Sequence, residues 1–302
     1  MTDRHRADYF SFRLSVARSA FHAFRLAERL CPPGLLRALA CLGAVPCAAF
    51  DLPRRADWQS GLARLAGWPE PAARAAYFPA RLRFHLQRVL ASIPDRLGQD
   101  HWRVRCRLQG HEFLQAALDA RRPVILATLH FGGLVMHRDW LRTFGIPAAT
   151  FLGEPIHRHA LKRLKHSLAP FPHIPCLLTD QNLRTVLRFL QSGVLVALVD
   201  HPAGRPIHAP VPGGMWRVSS TAWRLAALAD AVVIPFLTTE TAPWQFTLHF
   251  GEPLPAAASP AGFPAVASQL WTRVQPVLAA TPDQCHQELF DSLDTPLPVL
   301  AT

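Results

Sequence analysis

Val124-Ile125-Leu126-Ala127-Thr128-Leu129 is a near-continuous apolar run that delivers one polar residue, His130, followed at once by Phe131-Gly132-Gly133. An imidazole at the end of a buried segment is rigidly supported and changes charge near neutrality, as a general base must. The glycines have two readings. Their backbone N–H groups, at the start of a helix, can hold a developing oxyanion; alternatively, the missing side chains simply let strand and helix approach closely. A second apolar run, Val194 to Val199, ends on Asp200-His201 and continues through Pro202-Ala203-Gly204-Arg205. Asp200 can cap that turn or hold Arg205, while Arg205 and Arg217 are candidates for phosphate or carrier groups.

The elements that must position these residues are legible as periodicities. Trp102, Val104, Cys106 and Leu108 alternate with arginines, which predicts a half-exposed strand. Further strands are expected near 124–129, 148–152, 174–178, 194–199, 232–237 and 246–250. Helical stretches at 111–121, after Gly133, at 157–168, 182–190 and 219–229 separate most of them. Short apolar strands regularly alternating with helices define an α/β fold with a central, mostly parallel sheet flanked by helices. Ligands of such sheets sit beyond the carboxyl ends of the strands, where His130 and Asp200 fall. The segment around Trp216 reads as a loop.

Residues 1–100 read as an N-terminal helical region, punctuated by Cys31-Pro32-Pro33 and Trp68-Pro69-Glu70-Pro71, and residues 101–302 as the α/β part of what is expected to be one structural unit. Residues 10–30 set Phe12, Leu14, Phe21 and Phe24 among Arg13, Arg18, Arg25 and Arg29, as a membrane-surface helix or a packing helix would. Residues 35–50 are apolar, but at about 16 residues they fall short of the ~20 needed to span a bilayer. The net charge of +11 favours anionic partners, an acidic carrier protein or an anionic membrane surface. A nucleic-acid role is not expected, since no helix-turn-helix, zinc or RNP motif accompanies the charge. The cysteines lack CxxC spacing and read as reduced core residues, and no metal site is expected.

Taken in order, Leu108-Gln109-Gly110-His111-Glu112, Arg122 to Gly132, Leu190-Gln191-Ser192-Gly193 with Val194 to Asp200, Pro212-Gly213-Gly214, Arg224-Leu225-Ala226, Ala231 to Pro235 and Pro282-Asp283-Gln284 resemble the lipid A biosynthesis (late) acyltransferase family. The resemblance covers roughly residues 30 to 290. It implies a glycerolipid acyltransferase-like fold, at the cytoplasmic side of the inner membrane. It also implies acyl transfer from acyl carrier protein or acyl-coenzyme A, the thioester being a co-substrate with no further cofactor. The acceptor is a hydroxyl, or an amine if the site is altered, on a lipid or specialised metabolite. His130 matches the histidine of that family's His-x4-Glu/Asp motif.

Position 135, where the motif carboxylate belongs, is Val135. Asp139, one helical turn further on the same face, is the first replacement candidate, with Glu154 and Asp200 from neighbouring strand ends as others. Glu154 also stands where the family has an acceptor-side arginine, so it enters the expected substrate-binding set with Asp200, Arg205 and Arg217. His137 and Asp139, two residues apart on a helix, do not converge. His286 and Asp291 fit His-x4-Asp literally but follow no strand, and in a chain with fifteen histidines the match reads as coincidence. A family member that has lost catalysis and binds acyl chains or a carrier protein is the alternative.

Overall fold

The structure is a computed structural model that describes residues 32–50, 55–90, 103–134, 137–152, 176–178, 183–201, 206–212, 214–242, 244–257 and 259–293. Helices α1 (Pro33–Phe50), α2 (Arg55–Ala66) and α3 (Glu70–Leu90) precede β1 (Cys106–Gln109), α4 (His111–Asp119), β2 (Val124–Thr128), α5 (His137–Thr143), β3 (Ala148–Leu152) and β4 (Cys176–Leu178). The chain continues with α6 (Leu183–Leu190), β5 (Val194–Leu198), β6 (Pro206–Val211), β7 (Gly214–Ser219), α7 (Thr221–Ala229), β8 (Val232–Ala242), β9 (Gln245–Phe250), α8 (Phe263–Ala280) and α9 (Gln287–Asp291).

The central sheet has seven strands in the order β1-β9-β8-β2-β5-β3-β4. β8, β2, β5, β3 and β4 run parallel, while β9 pairs antiparallel with β8 and carries β1 parallel to itself. The expected α/β class with a mostly parallel sheet is therefore what the chain adopts. β2 lies inside the sheet and is buried at every position, as a continuous apolar run in a doubly covered parallel sheet must be.

Alternate residues of a strand face opposite sides, and the core divides accordingly. Ile125, Ala127 and Leu129 join Leu195, Ala197 and Val199 in one apolar cluster with α2, α3, α7 and α8. Val124 and Leu126 join Val194 and Val196 in the other, with Leu114 of α4 and Trp140 and Leu141 of α5. α8 shows why it is a helix: Phe263, Val266, Ala267, Leu270, Trp271, Val274 and Leu278 recur every three or four residues and are all buried.

The N-terminal helices belong to this body. Trp58, Leu62 and Leu65 of α2 and Ala73 and Tyr77 of α3 are part of the first cluster; α1 packs on α3, and its Ala44 and Ala48 are buried. No helix among the described residues is long and apolar enough to cross a membrane.

Two local expectations are corrected. The alternation at 102–108 becomes a strand only from Cys106, where pairing with Phe246 of β9 begins. The segment around Trp216 is not a loop: β6 and β7 form an antiparallel hairpin with Ala209 opposite Trp216. Its prolines, Pro206 and Pro210, hide the strand in the sequence, and they are tolerated because β6 has a strand partner on one side only among the described residues. Residues 10–30 and 157–168 lie outside the described residues.

Candidate active site

The geometry around His130 follows from strand register. β2 and β5 are adjacent and parallel, with Val124 beside Val194 and Thr128 beside Leu198, a constant offset. Two residues past each strand end, the same offset sets His130 beside Asp200. Asp200 is completely buried, and both its oxygens are used on one residue: Oδ2 accepts the His130 backbone N–H at 2.7 Å and Oδ1 accepts from the ring Nδ1–H at 2.9 Å. That pair of bonds fixes the ring's position and its tautomer together. Nδ1 carries the proton, and no described residue hydrogen-bonds to Nε2. The side chain is 15 % exposed.

Burial by itself lowers the pKa of His130. The charge of Asp200 and its hydrogen bond, with a further contribution from Glu288 on α9, outweigh that and leave it raised above the ordinary value of 6.5. An imidazole in this setting accepts a proton readily and keeps the resulting charge paired. His201, exposed, meets the His130 ring edge-on at 6.0 Å between centroids.

The carboxylate at Nδ1 is thus Asp200, which the sequence offers as a partner after Asp139 and also places in the substrate-binding set. A carboxylate with no exposed surface and both oxygens engaged does not meet substrate. Asp139 is the third residue of α5, and its side chain lies outside what the structure describes. Val135, Glu154 and Arg205 lie outside the described residues.

The oxyanion assignment changes as well. The Gly132 N–H is donated to the carbonyl of Gln284 at 2.9 Å and is not offered to a ligand. Gly132 has φ +55, and a Cβ there would stand 1.7 Å from the Thr238 carbonyl oxygen. A Cβ on Gly133 would meet the Trp140 ring at 2.3 Å. Both glycines are therefore required by packing, and they form a turn, the described part of α5 starting only at His137. Arg217 is likewise committed: its guanidinium donates to the Asp291 carbonyl and its backbone N–H to the Ser292 carbonyl, tying β7 to α9.

Sequence reading missed the support behind His130. Phe131 forms an antiparallel bridge with Cys285, flanked by Gly132 N–H to Gln284 O and His286 N–H to His130 O, each 2.9 Å. The amide side chain of Gln284 pairs with the backbone of Glu240 on β8 in both directions, accepting its N–H at 2.9 Å and donating to its carbonyl at 3.0 Å. The Trp58 indole donates to the Cys285 carbonyl at 2.9 Å, and Arg83 of α3 pairs with Asp283 at 2.9 Å. The available signal was Pro282-Asp283-Gln284, which carried part of the family resemblance but had no role attached. His286 and Asp291 are not a dyad, since Asp291 accepts from Gln287 at 2.8 Å while His286 bonds to Gly132.

Among the described residues no cluster of His, Cys, Asp and Glu could hold a metal ion. Cys106 and Cys285 are free and buried, and burial pushes the Cys106 thiol up to about 12 and that of Cys285 higher still, so neither is a nucleophile. Among the described residues, His130 held by the buried Asp200 carboxylate is an arrangement that can accept a proton. Comparison of the chain with protein-family models and with curated proteins finds no match.

Proposed function

We propose that this protein is an acyltransferase in which His130 is the general base and Asp200 its orienting carboxylate. The single observation that carries the reading is the pair of hydrogen bonds from His130 to one buried carboxylate at the carboxyl ends of adjacent parallel strands. The resemblance to the lipid A biosynthesis acyltransferases, and with it a glycerolipid acyltransferase-like fold, supplies the reaction. Nε2 takes the proton of a hydroxyl or amine as that group attacks a thioester carbonyl; the new C–O or C–N bond forms, the C–S bond breaks, and the imidazolium returns the proton to the departing thiolate. Asp200 holds the ring through both stages and balances its charge.

The donor in this reading is an acyl carrier protein or acyl-coenzyme A, and the net charge of +11 suits an acidic carrier and an anionic membrane face. The protein would work at the cytoplasmic face of the inner membrane. Val135 in place of the family's carboxylate, and Glu154 in place of its acceptor-side arginine, favour an acceptor other than a phosphorylated glycolipid. Asp200 offers the carboxylate that Val135 does not.

The test compares the lipids and small secreted metabolites of host cells making the wild-type protein, the His130→Ala variant or none, by mass spectrometry. An acylated species present only with the wild type supports the reading and names the acceptor. A species equally abundant with His130→Ala would sink the catalytic claim and leave a protein that binds acyl groups or their carrier.

A further inference from the structure

β2 ends at Thr128, so the residues that carry the base leave the sheet just where position matters most. Another stretch of chain compensates. The His130 N–H goes to Asp200 and the His130 carbonyl accepts from His286 N–H; the Gly132 N–H goes to Gln284, and the Gly132 carbonyl accepts from the His286 ring, Nε2 to O 3.2 Å. Every backbone polar group of both residues is thereby taken, and three of the four bonds come from residues 284–286. Residues 283–285 are themselves fastened at three points, to Glu240 through the Gln284 amide, to Trp58 through the Cys285 carbonyl, and to Arg83 through Asp283.

We propose that residues 282–286 form a lock that holds the base in register with Asp200, and that His286 is its positioning residue, donating its Nε2–H to the Gly132 carbonyl. A donor is needed there because the partner is a carbonyl, and a neutral one because a second cation would oppose the charge His130 must accept. The surroundings enforce this. His286 is buried edge-on against Phe84, with ring centroids 4.8 Å apart. Burial, then repulsion from His130 and Arg81, and more weakly from His137, hold its pKa down to about 3 against the pull of the Gly132 carbonyl. Of the two imidazoles on these paired segments, His130 has its pKa raised and His286 has its pKa lowered.

The inference rests on His130 being the base, but its readout needs no turnover. Nitrogen-15 spectra of the full chain should show His286 as the neutral Nε2–H tautomer between about pH 5 and 8. His286→Phe keeps an aromatic ring against Phe84 and removes the donor. Amide exchange at His130 and Gly132 should then quicken by ~3- to 10-fold, the loss of one buried hydrogen bond, while Leu248 in β9 keeps its rate. His286→Gln, which restores a donor, should recover most of the protection. The proposal is overturned if wild-type His286 protonates in that range or carries its proton on Nδ1. It is equally overturned if the Phe variant leaves the His130 and Gly132 amides unchanged, or raises exchange uniformly across the sheet. Should the Phe variant not fold, the wild-type tautomer and the Gln variant decide. Activity lost or kept in His130→Ala bears only on acyl transfer, so the two readings can fail separately.

Discussion

Replacing Asp200 with asparagine tests the site without requiring its substrate. The wild-type carboxylate accepts two donors, the His130 backbone N–H at 2.7 Å and Nδ1–H at 2.9 Å. Asparagine has the same shape but one acceptor and one donor face. The backbone N–H cannot change its nature, so the amide oxygen must face it and the amide NH2 must face Nδ1. The ring then moves its proton to Nε2, the atom that should receive one from the acceptor. In serine-protease triads the corresponding change costs about 10⁴ in turnover for this reason, and a similar loss is expected here if acyl transfer is the activity. Folding should lose only about 1 to 3 kcal/mol, since both hydrogen bonds to His130 are kept but neither involves a charged carboxylate any longer. Burial is then no longer outweighed by Asp200, so the His130 pKa should fall from above 6.5 to below it. Nitrogen-15 and proton spectra across a pH series report tautomer and titration midpoint together. A folded Asp200→Asn protein that keeps the Nδ1–H tautomer and a raised His130 pKa would refute the reasoning.

Other outcomes follow from the same contacts. Gly132→Ala should cost more than ~3 kcal/mol in urea unfolding, because the clash is with the Thr238 carbonyl. Gly67→Ala, also at positive φ but with nothing within 4 Å, should cost about 1 to 2; equal costs would remove the packing argument. His286 has a folded pKa of about 3 against 6.5, so the unfolded chain binds the extra proton; its contribution is full above pH 6.5 and is lost as pH falls, by at most about 5 kcal/mol near pH 3. His286→Gln should flatten that acid limb in unfolding curves. His130 has the opposite sign, its raised pKa stabilising the fold below 6.5 and ceasing to do so as pH rises past the folded value, an effect Asp200→Asn should abolish. Trp58→Phe leaves the buried Cys285 carbonyl without its indole donor and should cost about 1 to 3 kcal/mol by thermal or urea melts.

How much of this was legible turns on what register does. Val124 to Leu129 and Val194 to Val199 are apolar runs of equal length, each ending on one polar residue, and neighbouring parallel strands aligned at their starts bring such ends together. That was a signal for His130 beside Asp200, and spacing within one helix drew attention away from it to Asp139. Sequence-local motifs favour partners a few residues away, whereas a sheet makes partners of residues seventy apart at no cost in precision. The lock is harder to read for the same reason taken further. Gln284 matters because its side-chain amide imitates a strand's backbone against Glu240, and nothing in the residue type distinguishes that use from a solvated glutamine. His286 looked like half of a chance His-x4-Asp match, yet its meaning comes from a carbonyl 154 residues earlier. The fold class was readable because periodicity is a local property of the chain. The site was readable at His130 and at Asp200, the polar residues that end two buried strands; that the two pair, and what supports them, are products of topology, and a pairing rule applied to strand ends would have recovered the first of these.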